Sequence, residues 1–493
     1  MTAAIVPAAP ASGRPRARRL SRAIPGRLLR LELRRNIVPW LLPLIVALFW
    51  FDSFRGSLGG PPLWSVRTFL SLGQGHVVID FGPLVAGATA WAGSRDFRSR
   101  TTDLVTVTPV PRWAGRLTAW AATICWIEAA FGACVGVMYW ADARQVAWGG
   151  PPLWPVAAAA AAVAAFAALG FALGTLLPSR FTAPLAAFGA FIALVLSSHA
   201  GFDPHSTSYA QILPVNGQGL IKFDTGVFYP FQPDVSIARL IFCGGLILTA
   251  LGALGLPPGS GGRTLRRVAA AVTVAGLAAV GTAVGLAGTA RLEAHGIVIP
   301  ALHDAASDRP IPYTPVCTSA AIPVCVHPTY RQYLPAVTEA LSPVLAEVSG
   351  LPGAPARVTQ VPSSYLEPQG AASITGSPPV LRLPIGDLGL PLPATDDAIF
   401  EQQVRLAAVH AFVGAGGGLG SPAQQAVQAA LLTRAGVPLS AQVGLTIFSQ
   451  TPAAPVRAAA ERLAALSPAA RHAWLAAHLA ALRAGHIALE QLP

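Results

Sequence analysis

"RDFRSRTTDLVTVTPVPRW" runs from Arg95 to Trp113. Four arginines and two aspartates sit in a threonine-rich segment that closes on a pair of prolines, Pro109 and Pro111. The chain is apolar on both sides, over Val77–Trp91 before it and Trp113–Ala141 after it. A charged island between two apolar runs reads as the connector between two membrane helices. Its arginines say which side it faces, because Lys and Arg accumulate in cytoplasmic loops.

The composition agrees. Of 493 residues, 53% are hydrophobic and only 11% charged, against roughly a quarter charged in soluble domains. The mean hydropathy is +0.53. The formal net charge is +12. Such an excess suits nucleic acid or a membrane surface; here the arginines flank apolar runs, so a bilayer is the expected partner and nucleic acid is not. A spanning helix needs about 20 apolar residues to cross ~30 Å of hydrocarbon. Seven candidates follow: Ile37–Ser53, Val77–Trp91, Trp113–Ala141, Leu153–Leu177, Phe181–Ser198, Val235–Leu256 and Val268–Ala290. The second is short and carries Asp80. The basic start of the chain does not read as a cleavable signal. The expected fold class is a polytopic α-helical membrane protein of about seven transmembrane helices with a C-terminal α+β soluble domain.

Charge sets the expected orientation. Residues 1–36 hold nine arginines against one acid, Glu32. Further arginines fall in the 95–112 connector, at Arg180, and at Arg263, Arg266 and Arg267. The alternate connectors are poorer in basic residues. The N-terminus is therefore placed in the cytoplasm of a plasma-membrane protein, and seven crossings put residues 291–493 outside. Residues 1–25 read as a disordered basic arm, 26–36 as an interfacial helix and 37–290 as the transmembrane region. In "GRLLRLELRRN" (Gly26–Asn36) leucines alternate with arginines that can snorkel to headgroups. Cys125, Cys134 and Cys243 fall in expected helices. Cys317 and Cys325, with seven residues between them, fall in the tail. An oxidising exterior would let them close a small loop as a disulfide, while spacing alone equally admits two free thiols.

Positive-inside anchoring accounts for the arginines of the connector but not for the rest of it. Thr101 or Thr102 can cap a short helix carrying Leu104, Val105 and Val107, which Pro109 and Pro111 then stop. A short cytoplasmic helix with apolar side chains and basic flanks suits docking to another protein. The stretch resembles the loop between the second and third helices of ABC-2-type transporter permeases. The matching residues are Arg95, Arg98 and Arg100, then Thr102-Asp103-Leu104, Thr108-Pro109 and Arg112-Trp113. The resemblance covers roughly 1–256, and only this loop is motif-like. It implies that the loop contains a coupling helix seated in a separate ATPase subunit, and that two permease subunits, identical or different, work as a dimer. The alternative at this point is plain anchoring.

No G-x-x-x-x-G-K-[ST] occurs, and the one lysine, Lys222, stands in "GLIKFD"; "GPPLW", "GSGG" and "GAGGGLG" are glycine-rich without the lysine that phosphate binding needs. ATP hydrolysis is thus expected on another polypeptide, with no enzyme activity and no cofactor here. Glu128, in "ICWIEAAFG", is the acid deepest in an expected span. It either lines a pathway or stays protonated and hydrogen-bonded in the bundle. Gly132/Gly136, Gly170/Gly174 and Gly281/Gly285 have the spacing that lets helices approach closely.

In the tail, 331–350, 396–414, 422–436 and 453–488 read as helices, and "ARVTQVP" and "PVLRLPI" as strands. Some ABC-2 permeases carry a tail resembling a zinc aminopeptidase, which needs H-E-x-x-H so that two imidazoles face one metal. Here "AAVHAFVG" supplies His410 without the glutamate or the second histidine. The expectation is a non-catalytic binding or gating domain, a degenerate peptidase-like fold at most, with no metal. The rival class is a membrane-tethered hydrolase or sensor whose helices only anchor the tail.

Overall fold

The structure is a computed structural model. It describes residues 26–36, 38–51, 63–64, 76–99, 111–146, 148–199, 224–258, 262–367, 370–390, 397–414, 420–437 and 453–493. Helices and strands are numbered within these residues. The basic arm 1–25 and most of the connector, residues 100–110, lie outside them.

Among the described residues the N-terminal half carries helices and no strand. Helix α1 (26–35) precedes α2 (Val38–Phe49), α3 (His76–Gly93) and the single turn α4 (Arg95–Arg98). Then follow α5 (Arg112–Asp142), α6 (Leu153–Leu176), α7 (Thr182–His199), α8 (Asp234–Ala253) and α9 (Arg263–Ala287). Among the described residues four helices, α5, α6, α8 and α9, are long and apolar enough to cross a membrane. Helix α2 and the apolar part of α7, Thr182–Leu196, are shorter. The 31 residues of α5 extend about 46 Å at 1.5 Å per residue, well beyond the ~30 Å hydrocarbon layer.

The bundle packs through small residues. A Cβ on Gly170 would strike the carbonyl oxygen of Ala86, and one on Gly174 that of Ala90, so α6 lies backbone to backbone on α3. Helices α8 and α9 do the same: a Cβ on Gly245 would lie 2.8 Å from the Gly276 carbonyl oxygen. The other two spacings expected to permit close approach do not serve that end, since Cβ atoms on Gly132, Gly136, Gly281 and Gly285 would meet open space. Phe81, Ile127, Phe131 and Met138 are buried in the bundle, whereas α7 turns large apolar side chains outward. Leu185, Phe188 and Leu196 on α7 are each more than 60% exposed, a surface that suits lipid.

The C-terminal region begins with a hairpin, β1 (Arg291–Glu293) and β2 (Gly296–Val298). Its main sheet contains β3 (Val316–Cys317), β4 (Val324–Val326), β5 (Arg357–Gln360), β6 (Ser373–Thr375) and β7 (Val380–Leu383), in the order β3-β4-β5-β7-β6. The central pairs β4/β5 and β5/β7 are parallel, and the edge strands β3 and β6 are antiparallel to their neighbours. The crossover between β4 and β5 is α10 (Leu334–Val348), whose Val337, Leu341, Val344 and Val348 are all buried at helical spacing. Among the described residues four further helices follow: α11 (Asp397–Val413), α12 (Pro422–Arg434), α13 (Ala454–Ala465) and α14 (Pro468–Arg483). The expected single stretch 453–488 is broken because Ser467 caps α14 by accepting from the Ala470 N–H, with Pro468 in its first turn.

This region's core is not self-contained. Its apolar cluster includes Leu63, Val227 and Phe228, which belong to connectors of the N-terminal half. Segment 224–234 is tied down along its length. The Ser363 N–H donates to Asp224 Oδ2 at 2.6 Å. The Ile311 N–H donates to the Phe228 carbonyl. Tyr229 stacks on His295 at 3.7 Å between ring centroids. Asp234, fully buried at the start of α8, accepts from the Ile299 N–H at 2.9 Å.

Candidate functional site

The connector that opened the sequence reading is visible at its two ends. Arg100, Thr102, Asp103, Leu104, Thr108 and Pro109 lie outside the described residues. Arg95 makes a two-pronged pair with Glu32 of α1, at 2.8 and 3.1 Å. Arg98 folds back over Trp91, its guanidinium carbon 3.7 Å from a ring centroid of the indole, and donates to the Trp91 carbonyl at 2.6 Å. On the far side Arg116 donates to the Leu254 carbonyl at 2.9 Å. Trp113 is buried, and its indole N–H donates to the Leu251 carbonyl at 2.9 Å. It fastens α5 to α8.

Helix α1 is itself pinned to α5. The Leu33 carbonyl accepts from the Trp126 indole N–H at 3.0 Å. Asn36 donates to Thr123 Oγ1 at 2.8 Å while its Oδ1 accepts from the Val38 N–H that opens α2. Beneath the connector these elements enclose a cavity of about 380 Å³ lined by Glu32, Arg95, Phe97, Arg112 and Arg116 among others. The amphipathic helix at 26–35 therefore carries two structural ties, at Glu32 and Leu33, and Asn36 just beyond it a third; the Leu/Arg alternation alone did not reveal them.

Glu128 lies on α5, half-buried, with Oε1 fully enclosed and no hydrogen-bond partner among the described residues. Neither sequence alternative for it is favoured by a neighbouring group.

At the opposite end of α5 a second cavity, of about 450 Å³, lies between the connectors and the C-terminal region. Leu63 and Trp64 line it together with Trp148, Trp154, Val227 and Phe231. The sequence signal for it went unused. "GGPPLW" occurs twice, at Gly59–Trp64 and Gly149–Trp154, and the described residues of both copies converge on this one cavity. Tyr139, near the end of α5, touches both. Its ring centroid is 5.4 Å from that of Trp64, edge to face, and its hydroxyl donates to the Pro152 carbonyl at 3.1 Å. Gly149 adopts φ +74° and Gly226 φ +80°, a region in which only glycine is unstrained.

Behind Trp148 stands His327, fully buried. Its ring lies 4.5 Å from Trp148, 5.2 Å from Phe228 and 4.3 Å from Tyr313, centroid to centroid. Its Nδ1 accepts from the Thr329 N–H at 3.2 Å, and the backbone N–H of His327 donates to Gln360 Oε1 at 2.9 Å. Burial among aromatic rings pushes the imidazole down to about 4, so it is neutral at pH 7. Beside it, Cys317 and Cys325 stand opposite each other in the β3/β4 register and are joined by a disulfide. His303 is arranged the other way, between two carboxylates. Its Nδ1 is 3.2 Å from Asp234 and its Nε2 3.0 Å from Asp308. The hydrogen bond to Asp308, aided by the charge of Asp234, raises its proton affinity.

Three further histidines of the C-terminal region lie on its helices. His410 is buried in α11, both ring nitrogens lack partners among the described residues, and burial lowers its proton affinity. His472 meets the Ser349 carbonyl and His478 the Trp474 carbonyl. Among the described residues no group of three or more His, Cys, Asp or Glu is placed to hold a metal ion.

Comparison of the chain with known protein families, curated proteins and solved structures returns no match.

Proposed function

We propose that this chain is the permease subunit of an ATP-driven exporter of the ABC-2 type, crossing a plasma membrane seven times, N-terminus inside and residues 291–493 outside. In this reading it pairs with a second permease subunit, and a separate ATPase engages the cytoplasmic 95–113 connector. The observation that carries it is the brace under that connector. Arg95 grips Glu32 of α1, α1 is bonded to α5 through Leu33 and Asn36, and Trp113 bonds α5 to α8. A push on the connector would reach three helices through hydrogen bonds rather than dissipate in a free loop. The C-terminal core, which incorporates Leu63, Val227 and Phe228, would feel that motion at the other face, as a gating domain must. The tethered-hydrolase reading draws no support from His410, enclosed in an apolar helix layer.

The test is co-purification from native membranes with mass-spectrometric identification of partners. Recovery of a nucleotide-hydrolysing subunit is expected. The combined Thr102→Ala, Asp103→Ala and Leu104→Ala variant should lose it at least tenfold while keeping its thermal midpoint. Undiminished recovery with the triple variant would contradict the coupling role.

A further inference from the structure

The cavity built by the two GGPPLW copies has a chemically uniform wall. Among the described residues that line it none is ionisable. Thr225, Thr329 and the tryptophan N–H groups are the side-chain polar groups of that described lining. Pro151, Pro152 and Pro230 remove three backbone donors as well. An anion needs donors, and a burial-tolerant cation needs a carboxylate or a closed aromatic cage with compensating charge; among the described residues the wall offers neither a cluster of donors nor a carboxylate. Its volume of about 450 Å³ falls within the roughly 300–1,000 Å³ of small-molecule sites. It is reachable from the bundle surface, because Leu153 and Trp154, both of its lining, are 66% and 44% exposed at the start of α6. Helix α6 is apolar over 24 residues from that point, so this entrance stands at the end of a spanning segment, where tryptophans sit at the membrane interface.

We infer that the cavity formed by Trp64, Trp148, Trp154, Val227 and Phe231 binds the acyl chain of a membrane lipid, drawn in from the bilayer beside α6. The repeated hexapeptide supplies both halves of the wall, and Tyr139 sets their spacing by touching Trp64 and bonding Pro152. The buried neutral His327 behind Trp148 keeps the rear of the site uncharged. The site joins connectors of the bundle to the C-terminal region, since Val227 belongs to the core of that region and Ile311 and Thr329 complete the lining. A bound chain therefore bridges both. The inference needs the helices to meet a bilayer but does not need the chain to transport anything, so it stands or falls apart from the permease reading.

The test uses the full chain in nanodiscs of phosphatidylcholine, part of it carrying a diazirine in one acyl chain. After illumination, adducts are mapped by peptide mass spectrometry. Adducts are expected on the peptides holding Trp148–Trp154 and Trp64, and also on the lipid-facing surface of α7 at Leu185 and Phe188, which serves as the internal reference. Gly150→Phe puts a ring where a Cβ meets nothing within 4 Å. It should lower the cavity adducts at least fivefold relative to the α7 adducts. Dodecanol should protect the same cavity peptides in the unaltered protein, which keeps the test decisive even if the variant folds poorly. Cavity adducts that track those of α7 under both challenges would overturn the site. Protection by tetramethylammonium in place of dodecanol would overturn the ligand class, showing that the aromatic walls hold a cation.

Discussion

Where α3 meets α6, the contact is backbone on backbone, because Gly170 and Gly174 leave no side chain between Ala86, Ala90 and the opposing helix. Where α10 meets α14 in the C-terminal region, the contact is an ion pair: Arg471, 1% exposed, donates to both oxygens of Glu347 at 2.8 to 3.0 Å and to the Leu466 carbonyl at 2.9 Å. The two surroundings explain the two solutions. In lipid, apolar side chains gain little by leaving their surroundings, so helices associate by close packing of small residues. In water, burying large apolar side chains drives folding, and Val337, Leu341, Phe400 and Leu475 fill that core. The bundle accordingly turns Leu185 and Phe188 outward, while the C-terminal region buries Tyr330, Phe400 and Phe412.

The contrast can be broken most severely at Arg471. Arg471→Ala leaves Glu347 partly enclosed and without its main partner, which typically costs about 3–5 kcal/mol when such a pair is broken. Hydrogen exchange in the full chain should show α10 and α14 opening together while α3 and α6 keep their protection. A loss below about 1 kcal/mol would mean that the pair behaves as a surface contact.

The next effect is on pH dependence. His327, held down to about 4 when folded against an ordinary 6.5, must take up a proton on unfolding in acid. The unfolded state binds more protons between these values, so stability falls as pH drops from about 6.5 towards 4, by on the order of 3 kcal/mol. His327→Asn keeps an acceptor for the Thr329 N–H and does not titrate. Thermal midpoints of the two proteins across this window should diverge, with the variant the flatter. Parallel curves would remove His327 as the source.

Within the bundle, Gly174→Ala should cost roughly 1–3 kcal/mol by overpacking against Ala90. Gly136→Ala, facing open space, should lie within about 0.5 kcal/mol of the parent. Equal losses at both positions would refute the assigned α3/α6 interface.

These cases also mark how far the sequence could be read. Long apolar runs gave the helices, because a run of some 20 apolar residues is a property of one segment. So were the strands at Arg357–Gln360 and Val380–Leu383. The three glycine spacings looked alike, because spacing is local whereas close approach depends on the helix opposite; only Gly170/Gly174 found one. The aromatic surround of His327 left no local trace, since Trp148, Phe228 and Tyr313 come from three separate connectors. The doubled GGPPLW was legible as a repeat, but nothing in either copy says that the two meet. The boundary drawn at residue 291 followed hydropathy, yet Leu63, Val227 and Phe228 cross it, so a fragment starting there would lack part of its core.

Sidedness tests the central claim most directly. In a background with Cys125, Cys134 and Cys243 replaced by serine, intact cells are treated with a membrane-impermeant maleimide. Cys317, the exposed partner, should label without lysis, and only after reduction opens its disulfide with Cys325. A cysteine placed by Arg98→Cys, at the edge of the arginine connector, should label only once the cells are lysed. The reverse pattern, with the Arg98→Cys thiol reached in intact cells and Cys317 only after lysis, would contradict the orientation on which the account of both ends of the bundle rests.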